Sequence, residues 1–143
     1  MSDWKANGGV WLAHLASAER AYDIPTDLLA RIAYEESHFR DDIISGTYAS
    51  PAGALGIMQL MPKFFLSVRV PTPFTDVDVS QQIDEAAQFL AHLNTHTYNW
   101  ELAVAAYNAG LGNVEKYAGI PPFPETEKYV ADITADVPLK EAS

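Results

Sequence analysis

Apolar residues along this chain recur three and four positions apart, and no window alternates as a half-buried strand does. Val10, Trp11, Leu12, His14, Leu15 and Ala18 predict a first helix between Trp4 and about Tyr22, with Gly8 and Gly9 ahead of its apolar part. After the Asp23-Ile24-Pro25 turn, Leu28, Leu29, Ile32, Ala33 and Phe39 predict a second. Pro25 suits that helix's opening turn, and Thr26 and Asp27 suit its positive end. Arg40 to Thr47 reads as a polar loop whose Asp41 and Asp42 suit helix capping. A Gly- and Ala-rich segment follows, and Leu55 to Val70 predicts a helix with Met61-Pro62 near its start or at a kink. Pro71 to Asp78 reads as a surface loop stiffened by proline, ending where Asp78 or Ser80 can cap a helix from Gln81 to about Thr97. Trp100 to Ala109 predicts the next helix, closed by Gly110, and Gly112 to Tyr117 a short one. Gly119 to Pro124 is held extended by its prolines, and Glu125 opens a last helix through Ile133. The tail from Pro138 is expected to fray. The pattern contains no repeats, and it predicts one mostly α domain over 1–143, built from about six to eight helices.

One position breaks the amphipathic rule in an informative way. With residues advancing by roughly 100°, the centre of the second helix's apolar stripe lies about 20° from Glu36 and about 80° from Glu35. Glu36 therefore continues the buried face at the far end of that helix, while Glu35 leans toward solvent. A carboxyl on an apolar face near a negative helix terminus is expected to have a raised pKa, as a general acid working near neutral pH requires. Downstream, Ser50-Pro51-Ala52-Gly53-Ala54-Leu55-Gly56-Ile57-Met58-Gln59-Leu60-Met61-Pro62 carries glycines three apart and a lone amide, Gln59, among apolar neighbours. Such a segment suits the wall of a cleft. Tyr107 and Asn108 fall in the last turn before Gly110, and Glu125 and Tyr129 lie one turn apart and share a face.

Other polar residues carry weaker signals. Asp76 and Asp78 lack the glycine and terminal Glu of a calcium loop. His92 and His96 sit four apart on a helix, but with no metalloprotease Glu between them and no evident third ligand they read as part of a solvated face. His14 reads as a surface or core histidine. No metal and no cofactor are expected.

Composition narrows the class further. A chain of 143 residues that is 48% apolar is long enough to bury a core and is globular rather than disordered in character. The absence of cysteine excludes disulfides, thiolate metal sites and cysteine nucleophiles. A net charge of −10 offers no basic stripe for nucleic acid and disfavours anionic membrane surfaces. Met1-Ser2-Asp3-Trp4 lacks a basic leader region, and no apolar run is long enough for a signal core or a membrane span.

Glu36-Ser37-His38-Phe39 followed by SPAGALGIMQLMP resembles the soluble lytic transglycosylase family of peptidoglycan-cleaving enzymes. Ala105-Ala106-Tyr107-Asn108-Ala109-Gly110 and Pro124-Glu125-Thr126-Glu127-Lys128-Tyr129-Val130 are similar to that family's other blocks, in the same order, so the resemblance runs from about Ile24 to Val130. It implies a lysozyme-like α fold with a substrate cleft, at times with a small β element. It also implies non-hydrolytic cleavage of the bond between N-acetylmuramic acid and N-acetylglucosamine, leaving 1,6-anhydro ends, with Glu36 as acid and then base. It assigns Ser50 and Gln59 to sugar hydrogen bonds, Met58 and Met61 to apolar walls, and Tyr107 and Asn108 to the glycan site. Tyr129 matches a tyrosine that hydrogen-bonds the catalytic carboxylate, and Glu125 an acidic residue contacting substrate. Ser37 is expected to support the helix end.

The partner on this reading is the peptidoglycan glycan strand, met by a monomer through short-range sugar contacts that outweigh charge repulsion from an acidic wall. With no leader in view, either a leader has been lost or the protein is expected to reach the periplasmic cell wall through a holin, a virion or a secretion machine, and its start at Met1 favours a phage origin. Two alternatives stay open. Asp41 or Asp42 would activate water in a hydrolase like the related goose-type lysozymes, and a virion component that binds wall without chemistry would keep the cleft alone.

Overall fold

A computed structural model describes residues 3–139, and among these the chain is mostly α, with seven α-helices. The only β feature there is an isolated antiparallel bridge between Leu55 and Leu60. The chain divides into two compact units, Met1–Ala87 and Gln88–Ser143. The tail expected to fray from Pro138 lies, from Lys140 on, outside the described residues.

The first unit opens with turns rather than helix. Gly9 takes φ +53° and breaks the predicted start at Trp4, so α1 is Trp11–Ala21. Trp4 is nonetheless buried, its ring 6.3 Å from that of Tyr34, and this explains why an apolar residue lies so far ahead of the helix. α1 packs against α2, Leu28–Ser37, whose Leu28, Leu29, Ile32 and Ala33 are almost wholly buried. Pro25 and Thr26 precede α2 instead of opening it, and Asp27 stands at its N-terminus in the left-handed region.

The predicted polar loop after Arg40 contains a short helix, α3, Asp41–Ile44. Its two leading aspartates lie at the positive end, and Ile43 and Ile44 are buried beneath it. The helix predicted over Leu55–Val70 does not form. Gly56 at φ +83° and Gln59 at φ +52° are incompatible with helix, and the segment folds into turns with one 3-10 turn at Leu66–Val68. Ile57, Met58 and Leu60 bury their side chains from that irregular backbone.

α4, Asp76–Thr97, begins five residues before the predicted Gln81 and belongs to both units. Its start is a reciprocal capping box: the Asp78 N–H donates to Thr75 Oγ1 at 3.1 Å, and the Thr75 N–H donates to Asp78 Oδ2 at 2.9 Å.

In the second unit α5, Trp100–Ala109, has the predicted bounds. Asn99 Oδ1 accepts the Leu102 N–H at 2.9 Å and caps it. Ala103 to Ala106 are all buried, and α5 packs against both α6, Leu111–Tyr117, and α7, Pro124–Asp136. Gly110, at φ 92° and ψ 144°, is the single residue between α5 and α6, in a region essentially closed to other residues. α7 starts at Pro124, whose ring suits the first helical position, and runs past Ile133 to Asp136.

Candidate active site

Glu36 stands half-buried in the last turn of α2, and the chain stops the helix immediately after it. Ser37 is 1% exposed; its Oγ donates to the Ala33 carbonyl at 2.8 Å and accepts the Phe39 N–H at 3.2 Å. His38 and Phe39 both take left-handed backbone, a double reversal that turns the chain away within two residues. Ser37 is therefore the fastening of the helix end, as expected for it. Glu35 does not simply face water. Its carboxylate accepts from Arg31 at 2.9 Å, and Arg31 is 5% exposed with its guanidinium 5.0 Å from the Tyr34 ring centre. The buried cation draws Glu35 back along the helix, which angular position alone did not reveal.

α2 has no side-chain cap of its own, because Asp27 lies in the left-handed region. Glu19, near the end of α1, supplies the missing acceptors: Oε1 takes the Asp27 N–H at 2.9 Å and Oε2 the Ala30 N–H at 3.0 Å. Glu19 is 3% exposed, and burial holds its pKa above the ordinary value against the opposing pull of these hydrogen bonds. Both ends of the helix carrying Glu36 are thus closed by hydrogen bonds from side chains.

The Gly-rich segment forms two small closed turns. In the first, Ser50 Oγ accepts the Ala54 N–H at 2.9 Å, while the Ser50 N–H and the Ala54 carbonyl pair at 3.1 Å. A hydroxyl used as acceptor keeps its own proton to donate. In the second, Leu55 and Leu60 exchange two backbone hydrogen bonds, and Gln59 Nε2 donates to the Gly56 carbonyl at 3.0 Å. Gln59 and Met61 are half-buried, whereas Met58 is fully buried and supports its turn from beneath. Under this turn lies Gln82, itself fully buried, with Nε2 donating to the Ser67 carbonyl and Oε1 directed at Gly56. A Cβ on residue 56 would come within 2.5 Å of that oxygen.

In the second unit Tyr107 and Asn108 are half-buried in the last turn of α5. The Tyr107 ring lies 5.7 Å from that of Phe89. Thr126, 1% exposed on α7, donates from Oγ1 to Asn108 Oδ1 at 2.8 Å, which sets the amide's orientation. Glu125 is exposed in the first turn of α7, and Tyr129 one turn later is 6% exposed.

Asp41 is exposed at the start of α3. Asp42 is paired with Arg40 at 2.7 Å, and that guanidinium's hydrogen bond holds its carboxyl below the ordinary aspartate value. Among the described residues no group of three or more His, Cys, Asp or Glu converges on a common point. Nor is any described helix long and apolar enough to cross a membrane.

Sequence reasoning missed Glu19, Arg31, Gln82 and Thr126. Glu19 and Gln82 act across turns that no spacing rule foretells, whereas the Arg31–Glu35 pair has the i,i+4 spacing of a helical ion pair, and Asn108 and Thr126 both lie inside the family-like blocks.

Residues 14–130 match the transglycosylase SLT domain. The chain is 34% identical over 108 residues to membrane-bound lytic murein transglycosylase F 2 of Alkalilimnicola ehrlichii, an alignment covering 71% of this chain and 22% of that protein. It is 31% identical over 113 residues to membrane-bound lytic murein transglycosylase F of Saccharophagus degradans, covering 73% and 21%. The chain thus spans about a fifth of the length of these curated relatives. Its backbone is similar to the X-ray structure of an inactive Glu-to-Gln mutant of the lytic transglycosylase Slt from Pseudomonas aeruginosa. That comparison has a TM-score of 0.71 and 26% identity, covering 90% of this chain and 23% of that one.

Proposed function

Because the chain belongs to the transglycosylase SLT domain family, we propose that it is a peptidoglycan lytic transglycosylase acting through Glu36. The observation that carries the reading is the setting of Glu36. It is half-buried in the last turn of α2, directly before Ser37, which fastens the helix end, and it stands in the block that resembles the family's catalytic one. A single carboxyl then serves twice. As an acid it gives its proton to the oxygen linking N-acetylmuramic acid to N-acetylglucosamine, and the C1–O bond breaks. The substrate's own N-acetyl oxygen meets the positive charge at C1, the substrate-assisted route of some glycosidases. As a carboxylate, Glu36 takes the proton of the muramic acid 6-hydroxyl while that oxygen closes on C1. The 1,6-anhydro product forms without water, because the attacking hydroxyl is held on the same sugar at high effective concentration.

In this account the Ser50 hydroxyl and the Gln59 amide hydrogen-bond the sugar, and Met61 gives an apolar wall. Met58, being buried, contributes by packing the turn. Tyr107 and Asn108 contact the glycan, with Thr126 holding the Asn108 amide. Glu125 contacts substrate, and Tyr129 orients the catalytic carboxyl. The protein acts as a monomer on glycan strands of the bacterial cell wall, and a phage-borne role in host lysis is the finer form of this proposal.

The test is Glu36→Gln. With the proton donor removed, release of soluble fragments from purified peptidoglycan should fall by about a thousandfold, while pelleting with the same walls stays near the parent level. The Glu-to-Gln mutant of Slt was inactive, which supports choosing this substitution. If Glu36→Gln still clears walls, the assignment of Glu36 is wrong.

A further inference from the structure

α4 carries His92 and His96 near its C-terminal end, both exposed. Their rings lie 4.5 Å apart, centre to centre, at 67° to each other. An imidazole that ligates a first-row cation through a 2.0–2.1 Å bond places its ring centre about 3.2 Å from the metal. Two such rings about one metal have centres about 4.5 Å apart at a right angle and about 5.2 Å apart at a tetrahedral one, so the observed separation brings both imidazoles within reach of a single ion.

Two further features favour a cation at this place. The last turn of a helix presents unpaired carbonyls, the negative end of its dipole, and His96 lies in the last turn of α4. The chain as a whole carries a net charge of −10, which concentrates divalent cations around it.

We infer that His92 and His96 form a two-imidazole chelate for a single divalent transition-metal ion, with Cu2+ bound ahead of Ni2+ and Zn2+, the order usual for imidazole sites. Among the described residues no third ligand converges on the pair, which speaks against a closed structural or catalytic zinc site and leaves the remaining positions to water. The bound ion bridges one helical turn and holds the end of α4 against fraying. This site is separate from the chemistry assigned to Glu36 and does not depend on it.

The test is titration of the tag-free 143-residue chain with CuCl2, NiCl2 and ZnCl2 in a non-chelating buffer, with electron paramagnetic resonance of the copper complex. One equivalent of Cu2+ should bind with a two-nitrogen signature, and acid should release it as protons compete for imidazole. His92→Ala and His96→Ala should each weaken binding by about tenfold or more, since loss of one arm abolishes the chelate. Replacing the chain's other two histidines, His14 and His38, should leave it unchanged. His92→Gln and His96→Gln serve where an alanine variant folds poorly. The inference is overturned if the His92 and His96 variants bind copper as tightly as the parent, if the parent binds none, or if Zn2+ binds more tightly than Cu2+.

Discussion

Glu19 belongs to no motif, yet its carboxylate closes the N-terminus of the helix that ends at Glu36. Truncation in Glu19→Ala leaves the Asp27 and Ala30 N–H groups without their acceptors. It should cost about 1–3 kcal/mol in denaturant unfolding. The pH dependence has a definite sign. Burial raises the Glu19 pKa in the folded chain above its ordinary value of 4.5, so the folded state holds this proton more tightly than the unfolded state does. The group's contribution to stability is fully present below that ordinary value and is lost as pH rises through the raised one. Glu19→Gln should remove this decline from the pH–stability profile, and an unaltered profile would assign the decline to another group. Ser37 was legible in advance through its place at the helix end, whereas the apolar stripe did not separate Glu36 from Glu35, since both are half-buried. Glu19 was not legible, because its partners lie eight and eleven residues away across a turn whose left-handed Asp27 no spacing rule foretold.

At the scale of elements, the turn from Leu55 to Leu60 shows where pattern reading fails. Ile57, Met58 and Leu60 form an apolar run that suits a buried helix, but Gly56 and Gln59 take positive φ and the run is buried as irregular chain. Gly56 is doubly constrained, by its φ of +83° and by Gln82 Oε1 beneath it. Gly56→Ala should therefore cost about 1–2 kcal/mol for the backbone alone and more for the contact, lowering Tm by about 3 °C or more. A second substitution, Gln82→Ala, should return the contact part and not the backbone part. If Gly56→Ala melts with the parent, this packing of the turn is wrong. Elements with caps at both ends were read closely, α5 above all, between Asn99 and Gly110. α4 was read short because its capping box, Thr75 with Asp78, follows directly on a proline-rich stretch that reads as loop. α3 was missed because four residues are too few to show a period.

At the scale of the whole molecule, helical periodicity was enough to predict a mostly α chain. The four blocks were enough to suggest the family, since both depend on features repeated or spread along the sequence. The charge of −10 bears on function directly. A wall rich in carboxylates repels such a protein, and raising ionic strength from about 10 mM to about 150 mM shortens the screening length from about 30 Å to about 8 Å. The initial rate of peptidoglycan cleavage should rise severalfold over that range, in contrast to a basic wall enzyme, for which salt weakens attraction. A rate that falls steadily with salt would mean that an attractive patch steers the encounter. Whether Glu36 alone cleaves glycan strands without water is read from the mass of the fragments released from purified peptidoglycan. Cleavage by one carboxyl should leave 1,6-anhydromuramic ends; reducing muramic ends, heavier by one water, would mean hydrolysis and rule out this use of Glu36.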